Sequence, residues 1–222
     1  LSVRLLTLLT LDKFKDFSNT IVIAPVLEPA SHLLSRCLMG NIEVGLKIIE
    51  QFRLMNNDWG LRSAFWIVIQ HMLKIDQGCI DPEWLKPRLF DALKEAGDTD
   101  EVPTSAIRAV MKILPRFSNI QDITSELFNM ISSSDDIDPY NYPALKALHI
   151  IITKCDYNEF IDEDTFSVIS YTRNPTRLIR KAAYTFLRDL FELKDHEVYE
   201  DFNFFDYALK LIESSLNEED KE

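Results

Sequence analysis

Covalent catalysis needs a nucleophile beside a base, and a metal centre needs several ligands brought together at characteristic spacings. The chain has four histidines, His32, His71, His149 and His196, and no two stand four residues apart, as a ligand pair on one helical face would. Its cysteines, Cys37, Cys79 and Cys155, are odd in number, far apart and outside any Cys-x-x-Cys spacing. That pattern argues against a zinc knuckle or a disulfide framework and fits a reducing compartment. Neither Gly-x-x-x-x-Gly-Lys-Ser/Thr nor Gly-x-Gly-x-x-Gly occurs, so no loop is expected to cradle phosphates. Asp135, Asp136 and Asp138 cluster their carboxylates without the glycine and distal glutamate of an EF-hand loop. They read as a solvated connection that caps the next helix. No catalytic, cofactor-binding or metal-ligating residue is therefore expected, and the chain is not expected to be an enzyme.

The remaining chemistry is that of charge. Net charge is −12, which repels a phosphate backbone and makes direct nucleic-acid binding unexpected. Acids gather between the expected helices, at Asp76, Asp81, Asp98, Asp100, Glu101, Asp156 and Glu159, and again in the tail Glu218-Glu219-Asp220-Lys221-Glu222. They serve either to keep the chain soluble or to meet a basic protein surface. Arg173, Arg177, Arg180, Lys181 and Arg188 form a local basic group, with Asp189 and Glu192 beside them. This group reads as the ordinary charge of an exposed helix.

The elements that must position these residues are helices. With 46% hydrophobic residues, 27% charged residues and only 5 glycines, the chain can bury a core but lacks the positive-φ positions on which hairpins draw. Leu61, Phe65, Val68, Met72 and Ile75 recur at helical intervals, as do Leu145, Leu148, Ile152 and Cys155, and further apolar residues widen each stripe. Such helices are covered on two sides. No sustained apolar and polar alternation marks a strand, and no run is long enough to span a bilayer or resembles a signal peptide.

The spacing predicts helix pairs at 22–39 with 41–55, 59–75 with 82–96, 103–116 with 119–132, 142–155 with 159–171, and 175–193 with 203–217. An unpaired helix leads at 2–16. First helices share a pattern, in Trp59-Gly60-Leu61-Arg62-Ser63-Ala64, Pro103 with Ile107-Arg108-Ala109, Pro143-Ala144-Leu145-Lys146-Ala147, and Pro175 with Ile179-Arg180-Lys181-Ala182-Ala183. Proline suits a first helical turn, where its missing N–H has no intrahelical partner. A small residue such as Ala64 or Ala182 would let another helix approach, and the basic residue would reach a carboxylate or carbonyl of the adjacent repeat. The period approaches the interval of about 40 to 47 residues of HEAT and armadillo units. The expected fold is thus all-α, an α-solenoid of about five HEAT-type pairs over residues 1–222 with one leading helix; a compact helical bundle is the alternative. Because Leu1-Ser2-Val3-Arg4 opens in mid-pattern without a cap, a piece of a larger protein is expected.

Arg4-Leu5-Leu6, then Leu11-Asp12-Lys13-Phe14-Lys15-Asp16-Phe17, then Val22-Ile23-Ala24-Pro25-Val26-Leu27-Glu28 resemble a stretch of HEAT repeats in one family. It is the modifier-of-transcription, or B-TFIID factor, family of Snf-type ATPases that associate with the TATA-binding protein. That family's stretch reads Leu-Asp-Arg/Lys-Phe-Gly-Asp-Phe followed by Val-Val-Ala-Pro-Val-Arg-Glu. Asp58-Trp59-Gly60-Leu61-Arg62 is similar to its Trp-Glu-Val-Arg repeat opening. Lys15 replaces the family's Gly, Leu27 replaces its Arg, and Pro29 follows Glu28.

The resemblance implies a nuclear parent whose C-terminal motor, outside this chain, uses ATP and Mg and works on DNA. Its repeats would grip the basic convex face of the TATA-binding protein, which the motor strips from promoters, and a second transcription regulator could bind as well. On that reading the expected partner-binding residues, chosen for their loop position, are Asp76, Gln77, Asp81, Asp156 and Tyr157. HEAT scaffolds of another kind, such as a nuclear transport receptor or a chromosome-structure subunit, and a regulatory domain of a helical enzyme are the competing expectations.

Overall fold

The structure, a computed structural model, describes residues 20–54, 58–134, 138–155 and 167–194, which are all-helical and contain no strand. The helices are α1 (Thr20–Leu38), α2 (Ile42–Arg53), α3 (Trp59–Ile75), α4 (Pro82–Leu93), α5 (Glu101–Val110), α6 (Gln121–Ser133), α7 (Asn141–Lys154) and α8 (Arg177–Lys194). Short 3-10 turns occupy Leu114–Arg116 and Tyr171–Arg173, and residues 167–170 are helical. The chain forms two compact units, Leu1–Ile113 and Leu114–Glu222.

Caps set most starts in the first unit. Asn41 Oδ1 accepts the Val44 amide at 3.2 Å at the head of α2. Asp58 Oδ1 accepts the Leu61 amide at 3.0 Å before α3, and Asp81 does the same for Glu83 at 3.0 Å, with Pro82 next, at α4. Each cap satisfies an amide that the helix itself leaves without an acceptor. After α4 the chain turns through Gly97, whose φ of 90° suits glycine.

In this unit α3 is central, packing on α1, α2 and α5, while α4 packs on α5. It is accordingly buried on more than one side, with Ala64, Phe65, Val68, Ile69 and Met72 wholly inaccessible. Trp66 meets Phe65 edge-on at 5.0 Å, and Phe65 reaches Trp84 of α4 at 6.4 Å. In the second unit α7 packs on α6 and α8. Its core holds Ile123, Leu127, Phe128, Leu145, Leu148, Ile151, Ala183 and Phe186, and Phe128 and Phe186 meet edge-on at 6.2 Å.

The turn between α1 and α2 is tight because Gly45 has no side chain. A Cβ there would stand 2.8 Å from Leu38 Cβ and 3.2 Å from the Leu38 carbonyl oxygen. Gly45→Val is expected to cost about 1–2 kcal/mol despite removing a helical glycine. Thermal melts of the two proteins check this, and an unchanged midpoint would mean that the α1–α2 contact yields freely.

Several expectations are revised. The helix expected over 103–116 ends at Val110, since Pro115 has no amide to donate and disfavours helical backbone at Leu114; turns and the 3-10 segment follow. Ala183, not Ala182, is the small residue at full burial on α8, one step along the helix from the expected register. The leading helix 2–16, residues 159–166, the helix expected at 203–217 and the acidic tail lie outside the described residues. So do residues 4–19 of the stretch that carries the resemblance. No described helix is long and apolar enough to cross a membrane.

Candidate functional site

The connection from α3 to α4 carries the expected acidic docking residues. Asp76, Gln77 and Asp81 are all exposed, and Ile75, at the end of α3, is a half-exposed apolar neighbour. Both aspartates also hold the loop together. Asp76 Oδ1 accepts the Gly78 amide at 2.7 Å, and the Cys79 amide bonds the Asp76 carbonyl at 3.3 Å, while Asp81 caps α4. Their outer carboxylate oxygens thus face solvent on a locally fixed turn, which can present negative charge to a basic surface. Asp156 and Tyr157, the other expected docking residues, lie outside the described residues.

A denser ionic network joins α2, α3 and α4, where residue spacing alone had not placed one. Glu50 of α2 accepts from both sides: Arg53 Nε at 2.9 Å and Arg53 Nη2 at 2.8 Å meet one oxygen, and Arg88 Nε of α4 meets the other at 2.9 Å. Arg53 Nη1 continues to Asp91 Oδ2 at 3.0 Å. The Arg88 guanidinium lies 3.8 Å from the centre of the Trp84 ring and donates to the Trp84 carbonyl at 2.6 Å. Arg62 Nε and Nη2 grip Glu95 at 3.0 and 2.9 Å. Burial opposes ionisation of Glu50 most strongly, but the hydrogen bonds and charges of Arg53 and Arg88 outweigh it and hold its carboxyl below the ordinary range. Arg53, Arg62, Arg88, Asp91 and Glu95 line a cleft of about 340 Å³. Each of its arginines already holds a carboxylate, so the network acts chiefly to fix α2, α3 and α4.

The recurring basic residue of the first helices therefore plays different parts. Arg62 bonds Glu95 within its own pair. Arg180 Nη1 donates to the Asn174 and Pro175 carbonyls at 2.8 and 3.0 Å, closing the approach to α8. Lys146 sits 5.2 Å from the Tyr142 ring centre. In the first unit, ionic bridges between pairs run through second helices, α2 to α4. Their sequence signal is Glu50-x-x-Arg53 mirrored by Arg88-x-x-Asp91, both at the spacing of facing side chains on one helix.

In the second unit His149 Nε2 of α7 lies 2.5 Å from Asp189 Oδ2 of α8. Burial opposes ionisation of Asp189 most strongly, yet the bonds from His149 and Arg188 prevail and hold its carboxyl low. Tyr171 Oη donates to the Ile131 carbonyl at 2.8 Å and lies 2.5 Å from Ser134 Oγ. The three cysteines are free thiols, and burial raises that of Cys155. No group of three His, Cys, Asp or Glu residues suited to hold a metal occurs among the described residues. No protein-family model, curated protein or solved structure matches the chain.

Proposed function

We propose that each unit is built of HEAT-type helix pairs and that the chain is a scaffold segment that holds another protein. The observation carrying this reading is the sequence distance bridged by polar links between pairs. In the first unit Arg88 to Glu50, Arg53 to Asp91 and Gln70 to the Arg108 carbonyl each span 38 residues, and Ser63 to Ser105 spans 42. In the second, Tyr171 to the Ile131 carbonyl and His149 to Asp189 each span 40. Stacked repeats give a near-constant interval because every helix meets its counterpart in the next repeat. A bundle of unlike helices has no reason to keep one. First helices packing on first helices, α1 on α3 on α5 and α7 on α8, add to the same reading.

On the resemblance of residues 4–28 and 58–62, the partner is the TATA-binding protein, and the nuclear parent is a Snf-type ATPase that removes it from promoter DNA. In that reading the loop at Asp76, Gln77 and Asp81 meets the partner's basic convex face, steering association more than supplying affinity. Titration of the labelled TATA-binding protein with this chain at moderate salt tests the assignment, and absence of binding overturns the partner. Asp76→Asn with Asp81→Asn keeps acceptor oxygens for Gly78 and Glu83 while removing both charges. This pair is expected to weaken binding about three- to tenfold, mainly through a slower on-rate. Equal affinity for both proteins removes the loop from the contact. Lysine at Asp81 would be a poorer test, because losing the cap alone costs about 1 kcal/mol.

A further inference from the structure

The chain is acidic as a whole, yet among the described residues one groove of the second unit is lined by bases and by no acid, with Asp189 held beside it by His149. α7 carries no Asp or Glu, and α8 carries none from Arg177 to Arg188. Between them runs a groove of about 280 Å³ lined by Tyr142, Lys146 and His149 on one side and by Leu178, Lys181 and Ala182 on the other. Their spacings put each set on a single helical face.

Leu178 is 58% exposed, the highest value among the exposed large hydrophobic side chains of the described residues. Lys146 and Lys181 are exposed at the rim, and neither pairs with a carboxylate among the described residues. Asp189, the acid nearest in sequence to this stretch of α8, is taken by His149 and Arg188. The volume stands at the small end of the roughly 300–1,000 Å³ of ligand pockets.

We infer that this groove docks an acidic amphipathic peptide segment of a partner protein, its apolar anchor seated on Leu178 and Ala182 and its carboxylates facing Lys146 and Lys181. Charge complementarity selects the acidic ligand. The apolar floor selects a peptide over a nucleic acid, whose backbone would be held by cations alone. This inference is independent of which protein the acidic loop of the first unit takes.

The test is a fluorescence anisotropy titration of the whole chain, at low salt, with a labelled peptide of repeated Glu-Glu-Leu-Phe units. Two further probes are the same peptide with serine for Leu and Phe, and labelled oligothymidylate of equal charge. Lys146→Glu with Lys181→Glu is expected to weaken peptide binding at least about tenfold, and Leu178→Ser about threefold or more. Both change exposed positions, and circular dichroism verifies that helicity is kept. The serine peptide and the oligothymidylate are expected to bind markedly more weakly than the parent peptide. Unchanged affinity in the charge-reversed protein, or oligothymidylate or the serine peptide binding as well as the parent peptide, would overturn the assignment.

Discussion

Phe65→Ala is expected to lower the unfolding free energy of the first unit by about 3–5 kcal/mol, the range for emptying a fully buried aromatic site. Phe65 has no accessible surface and lies in α3, the helix that α1, α2 and α5 all pack upon. The space left behind would be walled by Trp66, at 5.0 Å edge-on, and by Trp84 at 6.4 Å. These are large rings held by their own neighbours, so collapse into the void is poor and the cost sits toward the upper end of the range. Phe65→Leu, which keeps most of the volume, should cost less than about 1.5 kcal/mol. Urea denaturation followed by tryptophan fluorescence is a selective measurement, because Trp59, Trp66 and Trp84 all belong to the first unit. A loss under about 1 kcal/mol for the alanine variant would contradict the central place given to α3.

The second large effect is expected at Glu50. Glu50→Ala leaves the partly buried guanidinium groups of Arg53 and Arg88 facing each other without their shared acceptor. The expected loss is about 2–3 kcal/mol, which combines the charged hydrogen bonds with the uncompensated charge left behind. A double-mutant cycle pairing it with Arg88→Met should recover a coupling of at least about 1 kcal/mol. Additive losses would show that the bridge between α2 and α4 contributes nothing specific.

The sign of the pH dependence follows from the lowered folded-state carboxyl. A group depressed on folding adds stability that is fully present above its unfolded pKa and is lost as pH falls through its folded value. The gap between wild type and Glu50→Gln should therefore be constant at neutral pH and shrink only on acidification below the ordinary carboxylate range. A gap that instead closes between pH 6 and 8, a window chosen around the usual histidine pKa of about 6.5, would point to a different titrating group.

Helix identity was legible because the local signals agreed with one another. Asp58 before Trp59, Asp81 before Pro82 and Asn41 before Ile42 each place an acceptor where unpaired amides begin, and those starts fall within a residue of expectation. The end of α5 was readable too, in Pro115, but the apolar period running on through Ile113 and Leu114 masked it. The α3–α4 loop was legible as a position and a charge, not as a set of caps, since an aspartate at a helix start looks the same whether it meets a partner or an amide. The Glu50–Arg88 bridge was harder still. Each half is an ordinary helical ion pair, and only the stacking of α2 beside α4 turns the two into one network. The groove of α7 and α8 escaped for the opposite reason: Asp189 and Glu192, neighbours of the arginines in sequence, fall near the end of α8, with Asp189 turned to His149 and Arg188.

The near-constant interval of about 40 residues between linked positions also bears on how the chain comes off the ribosome. Among the described residues, each of these links is completed within about the next 40 residues to emerge. At roughly 5–20 residues per second, synthesis leaves an oily flank bare for about two to eight seconds before its neighbour arrives. That wait is set by the spacing between linked positions rather than by the length of the chain.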